Sequence, residues 1–160
     1  MDGDAIALSN LGIRFVKGFD NVCGDVIFRS PGFRPDRPEL ATAIASGAEL
    51  TSEMEKLLKH TPAKTFAVTG SDGKTTTTTL IYKILTKSGY NCHLGGNIGT
   101  PLLCRTDEIK ETDIAVLELS SFQLFSMKHS ADVAVVTNVT PNHLDWHKDF
   151  DEYKNAKKNV

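Results

Sequence analysis

Apolar runs alternate with helix-length spacers from Lys64 onward. The runs lack the strict alternation of a half-exposed strand, and they are Thr65–Thr69, Asn91–Leu94, Asp113–Glu118 and Asp132–Thr137. Such runs are typical of strands that are buried on both faces of a parallel sheet. The first spacer predicts a helix over residues 74–88. We therefore expect an open, mostly parallel α/β sheet in this part of the chain.

The chain before Lys64 has shorter elements. The pattern predicts a strand, a turn and two helices, at Asp25–Arg29, Ser30–Gly32, Arg37–Ala45 and Ser52–Lys59. Thr61-Pro62 interrupts the pattern and is the expected linker. We therefore expect two units, residues 1–62 and 63–160.

Composition and charge favour a small-molecule partner. The 160 residues include 18 Lys and Arg against 20 Asp and Glu, so the net charge is −2 and the pI is about 6.2. This balance provides no field that would attract nucleic acid or an anionic membrane surface. No stretch reaches the ~18 consecutive apolar residues of a membrane span, and the amino terminus lacks a signal-peptide pattern. The expected location is the cytoplasm.

The cysteines agree with a reducing compartment. Cys23, Cys92 and Cys104 are odd in number and have no C-x-x-C spacing, which argues against a disulfide framework or a zinc site. We expect three reduced thiols.

A glycine-rich loop lies where a predicted strand ends and a predicted helix begins. Gly70-Ser-Asp-Gly73-Lys74-Thr75 allows backbone N–H groups and a helix amino terminus to face phosphate oxygens. In this hypothesis Lys74 reaches the β- and γ-phosphates and Thr75 binds Mg²⁺. Val68 stands where the full Walker pattern has its first glycine. The alternative is a helix-capping turn with an exposed lysine.

Polar residues at the ends of the next strands strengthen the phosphate-site hypothesis. Ile114–Glu118 is an apolar strand that ends in a carboxylate, the position at which phosphate-loop enzymes place a magnesium-binding acid. Ligands of open α/β sheets gather at the carboxyl ends of the strands, so Glu118 and the loop should face one crevice. The alternative for Glu118 is a water-exposed carboxylate at the sheet edge. His143 follows the last strand and should reach the same crevice, whereas His60, His93 and His129 are expected to be loop or core residues.

With these residues identified, the chain resembles the Mur ligases of peptidoglycan synthesis, and among them those that add D-glutamate. The matching segments are Ser30–Gly32, the Gly-Ser-Asp-Gly-Lys-Thr loop, Gly96–Gly99, Glu118–Leu124, Asn138–Asp145 and Tyr153–Lys157. The resemblance runs from about Asp25 to the end, and it explains Val68 because the loop of this family is G-x-x-G-K-[ST]. It implies a phosphate-loop ATP-binding domain at 63–160. It further implies the later part of a Rossmann-like UDP-substrate domain at 1–62, with the amino-acid-binding domain outside the chain.

The resemblance also implies roles for individual residues. Lys74, His143 and Lys157 would be catalytic, and the nucleotide-binding residues would be Gly70, Ser71, Asp72, Gly73, Lys74, Thr75 and Thr76. Two Mg²⁺ ions are implied, the first on Thr75 and Glu118, the second on His143 and on Lys157 after its conversion to a carbamate by CO₂. The Tyr-x-x-x-Lys spacing favours Lys157 over its neighbour Lys158, which is the alternative.

The implied substrates are ATP, UDP-N-acetylmuramoyl-L-alanine and D-glutamate. Contacts to the UDP substrate would come from Gly32, Asn97, Ser120, Gln123 and His143, whereas Cys92, Trp146 and His147 are expected to be structural. The protein is expected to be a monomer. Two other hypotheses stay open: a nucleotide-binding fragment without turnover, and a phosphate-loop GTPase or kinase, which the absence of an Asn-Lys-x-Asp motif weakens.

Overall fold

Two parallel sheets form the framework. The structure, a computed structural model, describes Gly18 and residues 22–160. The smaller sheet has two strands and the larger has four, and all neighbouring strands in both run parallel. The expected α/β class is thereby confirmed. No helix in the described part of the chain is both long and apolar enough to span a membrane.

The smaller sheet pairs β1 (Val26–Phe28) with β2 (Glu49–Thr51). Helix α1 (Pro38–Ala45) connects them and starts with a proline, whose fixed φ suits the first helical turn. The sequence predicted β1 and α1 but not β2. Three residues are too few to show a period, and β2 is defined by its pairing with β1.

Helix α2 (Glu53–His60) links the two sheets. The Oγ of Ser52 accepts a hydrogen bond from the N–H of Glu55, which caps the helix as expected. Its Met54 and Leu57 are buried in the cluster that also contains Leu117 of the larger sheet. The boundary near residue 62 therefore remains a prediction, since the packing continues across it.

The larger sheet has the order β4-β5-β3-β6. Its strands, in chain order, are β3 (Lys64–Thr69), β4 (Cys92–Gly96), β5 (Ile114–Glu118) and β6 (Val133–Val136). Val68 is paired with Glu118, so the end of β5 lies beside the end of β3, where the glycine-rich loop begins. The carboxyl ends of these strands share one edge because they are parallel.

Burial differs between the strands of the larger sheet. Every residue of β5 is buried, as expected, whereas β6 alternates in exposure and Val136 is 49% exposed. The expectation of burial on both faces is wrong for β6 and for β4, of which only Gly95 is buried, because these strands lie at the two edges of the sheet.

The remaining elements surround the larger sheet. Helix α3 (Lys74–Lys87) follows β3, and a 3₁₀ helix (Leu103–Glu108) precedes β5. Helix α4 (Ser121–Leu124) follows β5, and helix α5 (Phe150–Lys157) lies near the end of the chain. The core includes Ala67, Ala115, Leu117, Leu119 and Leu124, all without exposed surface.

Candidate phosphate-binding site

The glycine-rich loop presents an uncapped helix end. Gly73 is the N-cap residue of α3, its φ is 76°, and no side chain caps this end. The N–H groups of the first helical turn are therefore left for an anion. Of the five threonines that follow, Thr78 is the one that packs into the interior: it is fully buried, and its Oγ1 donates to the carbonyl of Lys74 at 2.8 Å, whereas Thr75 and Thr76 are exposed.

Lys74 is folded back over the loop instead of extending into solvent. Its Nζ donates to the carbonyls of Gly70 and Ser71, each at 3.0 Å, and the residue is only partly exposed. The alternative of a capping turn with a freely exposed lysine does not describe this geometry. The ammonium group lies directly over the loop that is expected to hold phosphate.

The segment after β6 holds the first half of the loop. The N–H of Ser71 donates to the carbonyl of Asn138 at 2.9 Å, and the N–H of Asp72 donates to the Asn138 side chain at 3.0 Å. The amide of Asn138 donates in return to the carbonyl of Asp72 at 3.0 Å, and Thr137 donates to the same carbonyl at 2.6 Å. These two loop N–H groups are thus occupied within the protein, and the groups available to an anion are those at the start of α3.

Sequence reasoning assigned no role to Asn138. A signal was present, because Asn138 follows the carboxyl end of a predicted strand that had to end beside the loop. Its two hydrogen bonds to the backbone N–H and carbonyl of one residue, Asp72, are visible only in the folded structure.

Glu118 is completely enclosed between two donors. Its side chain has 1% exposure; Oε2 accepts from Thr75 Oγ1 at 2.7 Å, and Oε1 accepts from Asn97 Nδ2 at 2.8 Å. The expected meeting of Glu118 with the loop is confirmed, and the alternative of a water-exposed carboxylate is wrong. Asn97, expected to contact substrate, orients this carboxylate.

The pair Thr75 and Glu118 suits a magnesium ion. Both offer oxygen, the ligand type that Mg²⁺ prefers, and Mg²⁺ commonly uses one or two protein groups together with phosphate and water oxygens. No group of three or more His, Cys, Asp or Glu side chains is placed to hold a metal in the described residues. A site here would therefore depend on oxygens brought by a nucleotide.

Lys157 and Lys158 have opposite environments. Lys157 is 3% exposed, and its Nζ donates to the carbonyl of Gly70 at 2.8 Å and to Thr69 Oγ1 at 3.4 Å. Lys158 is exposed and donates to Asn155 on its own helix at 2.9 Å. Of the two lysines, the structure brings only Lys157 to the loop.

Burial weakens the basicity of Lys157. Desolvation lowers its pKa to about 8, and the nearby charge of Lys74 acts in the same direction. The hydrogen bonds described for both ammonium groups go to neutral oxygens. Two cations thus meet at one carbonyl, an arrangement that favours an incoming anion.

His143 lies near the loop without touching it. It is exposed, has a φ of 53°, and its ring packs edge-on against Phe122 with centroids 4.8 Å apart. Its ring centroid is 6.5 Å from that of Tyr153, whose hydroxyl is 2.8 Å from Ser71 Oγ. The structure therefore places His143 beside the residues that support the loop, and its metal role stays a prediction.

Three other histidines have structural partners. His147 is buried, its Nε2 is 3.0 Å from Ser121 Oγ, and burial lowers its pKa. His93 pairs with Asp113 at 2.8 Å, and His129 contacts Glu55. These contacts agree with the expectation of structural roles.

Of the residues expected to bind the UDP substrate, which all lie in the described part of the chain, Gln123 alone lines the cavity at the Ser30-Pro31 turn, and Asn97 lies beside Glu118 instead. Ser120 and Gln123 form a reciprocal capping box at the start of α4. Gln123 also lines a cavity of about 250 Å³ together with Ser30 and Pro31. Gly32 follows these residues, and its carbonyl accepts a hydrogen bond from Trp146 Nε1 at 3.0 Å.

Comparison with protein families supports this description. The Mur ligase middle domain matches residues 68–160. Three relatives bear the name "UDP-N-acetylmuramoylalanine--D-glutamate ligase". Those from Ruminiclostridium cellulolyticum and Acetivibrio thermocellus are 65% identical over 136 residues and 62% identical over 142 residues, covering 85% and 88% of this chain and 29% and 30% of their own. One from Clostridium botulinum strain Hall is 54% identical over 160 residues, covering 98% of this chain and 35% of its own. The chain thus spans about a third of the length of these relatives.

Solved structures show the same fold. MurF from Acinetobacter baumannii matches 88% of this chain and 38% of its own, with a TM-score of 0.50 and 19% identity. E. coli FolC in complex with ADP matches 76% of this chain and 43% of its own, with a TM-score of 0.50 and 20% identity.

Proposed function

The chain belongs to the Mur ligase family, and on that premise we propose that it is the ATP-binding part of a ligase that joins D-glutamate to UDP-N-acetylmuramoyl-L-alanine. The observation that carries the proposal is the loop itself. The ammonium groups of Lys74 and Lys157 share the carbonyl of Gly70, beside an uncapped helix end and the Thr75–Glu118 pair. The names of relatives that are 54–65% identical support the substrate assignment.

The proposed reaction activates a carboxylate, which is a poor acyl donor. A carboxylate oxygen of the UDP substrate attacks the γ-phosphorus of ATP, and the bond between that phosphorus and the bridging oxygen of ADP breaks to give an acyl phosphate. The amine of D-glutamate then attacks the acyl carbon, loses a proton, and inorganic phosphate leaves. In the first step negative charge is spread over the phosphoryl oxygens and the leaving ADP oxygen, and in the second step it leaves with inorganic phosphate, so fixed cations at the phosphate would lower both barriers.

The residues of the loop have separate tasks in this proposal. Lys74 neutralises the β- and γ-phosphate oxygens, while the N–H groups at the start of α3 bind the same anion. Gly70, Ser71 and Asp72 give the loop its shape through their bonds to the segment after β6. Gly73, Thr75 and Thr76 are the residues whose backbone lies at the helix end.

Thr75 and Glu118 would hold the first Mg²⁺, and Asn97 keeps the Glu118 carboxylate oriented. When bound, Mg²⁺ neutralises the charge shared by the transferring phosphate and its neighbours. His143 and a carbamate on Lys157 are the proposed ligands of a second ion. Burial favours Lys157 for this modification, because CO₂ reacts with the neutral amine and the Lys157 pKa is about 8.

The cavity beside Gln123 is the proposed place for the reacting end of the UDP substrate. It joins Ser30 and Pro31 with Gln123; Gly32 follows Pro31 in sequence, and Ser120 contacts Gln123 through the capping box. A monomeric state and a cytoplasmic location belong to the same proposal.

A second proposal concerns the 160 residues alone. Because they span about a third of the length of the relatives, we propose that they bind nucleotide without ligating. Phosphate release that requires both D-glutamate and the UDP substrate would contradict this second proposal. A chimera in which these residues replace the matching third of the Ruminiclostridium cellulolyticum relative tests ligation itself.

Calorimetric titration of ATP, with and without Mg²⁺, tests the nucleotide site. Lys74→Ala should weaken Mg²⁺-ATP binding by at least ~10-fold, because it removes a charge at the phosphates. Lys83→Ala, an exposed lysine later on the same helix, should bind like the unchanged chain. Equal affinity of Lys74→Ala and the unchanged chain would overturn the proposal, and displacement of ATP by GTP would favour another type of phosphate-loop enzyme.

A further inference from the structure

Arg34 lies between two aromatic rings at the junction of the two sheets. The centre of its guanidinium is 4.8 Å from the ring of Trp146 and 5.0 Å from the ring of Phe125. Its NH1 group donates to the carbonyl of Trp146 at 2.7 Å. The side chain is 18% exposed, so these contacts are largely shielded from water.

The same guanidinium binds helix α5 through Glu152. NH1 lies 3.0 Å from Oε2 and NH2 lies 3.1 Å from Oε1, a two-pronged pair that a planar guanidinium can form and an ammonium cannot. Hydrogen bonding to Arg34 lowers the pKa of Glu152 to about 2. Asp36 accepts from the remaining side of Arg34 at 2.8 and 2.9 Å. We name the cluster of Arg34, Trp146 and Glu152 the Arg34 latch.

The Arg34 latch contacts both the expected substrate-binding turn and the segments that carry the expected catalytic residues. Trp146 Nε1 donates to the carbonyl of Gly32 at 3.0 Å, while the Trp146 backbone N–H donates to the carbonyl of His143 at 3.1 Å. Glu152 lies in the first turn of α5, the helix that carries Lys157. One arginine thus connects the Ser30–Gly32 turn with the turn of His143 and the helix of Lys157.

We propose that Arg34 is a positioning residue that couples the Ser30–Gly32 turn to His143 and Lys157. The coupling rests on the proposed function, in which the UDP substrate occupies the first of these segments and ATP the loop near the second. Through the Arg34 latch, the substrate-binding turn fixes the orientation of the His143 turn. Loss of the two-pronged pair would leave each segment folded but no longer aligned.

Fluorescence tests the Arg34 latch directly, because Trp146 is the single tryptophan of the chain. Arg34→Lys keeps the charge but loses the planar fork, so acrylamide quenching of Trp146 should rise by about twofold. The matched control is Arg105→Lys, which alters an exposed pair with Glu108 on the 3₁₀ helix and should leave quenching unchanged. Glu152→Gln is a second variant that should also raise the quenching of Trp146. Quenching in the double mutant should be no higher than in either single mutant, because both changes remove the same pair. If the Arg34→Lys and Glu152→Gln variants are folded but the quenching of Trp146 is unchanged, the proposal that the Arg34 latch positions Trp146 is overturned.

Steady-state kinetics of the chimera with the Ruminiclostridium cellulolyticum relative distinguishes a loss of coupling between the two turns from a general loss of folded enzyme. Arg34→Lys should raise KM for UDP-N-acetylmuramoyl-L-alanine and lower kcat, each by ~10-fold, because the substrate-binding turn and the His143 turn lose their alignment, while Arg105→Lys should change neither by more than ~2-fold. A change in KM for the UDP substrate alone, or no change in either value, would overturn the coupling. A chimera without ligase activity before any substitution would instead reject the proposed function, and the quenching experiment would still decide whether the Arg34 latch exists.

Discussion

The Nζ atoms of Lys74 and Lys157 both donate to the carbonyl oxygen of Gly70, at 3.0 and 2.8 Å. The lysines are far apart in sequence, one at the start of α3 and the other at the end of α5. Two ammonium groups at one neutral acceptor repel each other, and burial lowers the pKa of Lys157. The site is therefore electrostatically incomplete until an anion, or a change in the charge of Lys157, balances it.

Carbamate formation should occur at Lys157. With a pKa of about 8, about a tenth of this lysine is neutral at pH 7, against less than about a thousandth for an ordinary lysine. Carbon NMR in ¹³C-bicarbonate should show a carbamate signal that Lys157→Met abolishes. Lys158→Met, the exposed neighbour, should keep the signal. A signal lost only in Lys158→Met would transfer the role to that residue.

Burial of the Lys157 ammonium should reduce stability near neutral pH. Its pKa falls from 10.5 to about 8 on folding, so the unfolded chain binds more protons between these values and the free energy of unfolding rises with pH there. Below pH 8 Lys157 is charged in both the folded and the unfolded chain, so the full free-energy cost of burying its charge is present. Lys157→Met should therefore raise the free energy of unfolding at pH 7 by about 1–3 kcal/mol.

Urea unfolding at pH 7 and pH 10 measures this effect. The increase in the free energy of unfolding caused by Lys157→Met should become smaller toward pH 10, because Lys157 is already neutral in the folded chain at that pH. Lys158→Met should show little change at either pH. A methionine variant that is less stable at pH 7 would mean that the hydrogen bond to Gly70 outweighs the desolvation.

Glu118→Gln should remove the Mg²⁺ dependence of ATP binding. The substitution keeps the size of the side chain but replaces a carboxylate oxygen that lies beside Thr75 with an amide group. The expected result is that Mg²⁺ improves ATP affinity by less than ~2-fold in the variant. Calorimetry with and without Mg²⁺ measures it, and Glu108→Gln is the exposed control. If Mg²⁺ still raises the ATP affinity of Glu118→Gln, the metal does not depend on the Glu118 carboxylate.

Asn138→Ala should loosen the first half of the loop. It removes the side-chain bonds to the backbone N–H and to the carbonyl of Asp72, at a cost of about 1–3 kcal/mol in the free energy of unfolding. ATP affinity should fall by ~10-fold, because the loop loses its fixed shape before binding. Urea unfolding and calorimetry give the two values, with Asn155→Ala on the exposed face of α5 as control. Unchanged ATP affinity despite lost stability would show that the loop needs no support from Asn138.

Gly70→Ala should disrupt the loop more than Gly73→Ala. At Gly70, with φ of 149°, a Cβ would lie 1.9 Å from Thr137 Oγ1, whereas at Gly73 there is open space and only the φ of 76° opposes a side chain. We expect Gly73→Ala to cost about 1–2 kcal/mol and Gly70→Ala more, by thermal or urea unfolding. Equal costs would mean that Thr137 moves aside readily.

The sequence by itself determined the parts that depend on local pattern. Apolar runs and spacers defined the β3, β4, β5 and β6 regions and the α3 helix, and the Gly-x-x-Gly-Lys-Thr pattern located the loop between strand and helix. Parallel strands that end at one edge then required Glu118 to lie beside the loop, which the structure confirms. These inferences succeed because period and turn chemistry are properties of short segments, and because helix-length spacers between buried strands favour parallel pairing.

Only the tertiary structure decided which distant residues meet. Spacing alone left Lys157 and Lys158 as alternatives, and burial of one and exposure of the other distinguishes them. The hold of Asn138 on Asp72 and the contacts of Arg34 with Trp146 and Glu152 join segments more than 60 residues apart. Such contacts depend on the direction of each side chain after packing, which one residue of register can reverse, and no local pattern specifies it.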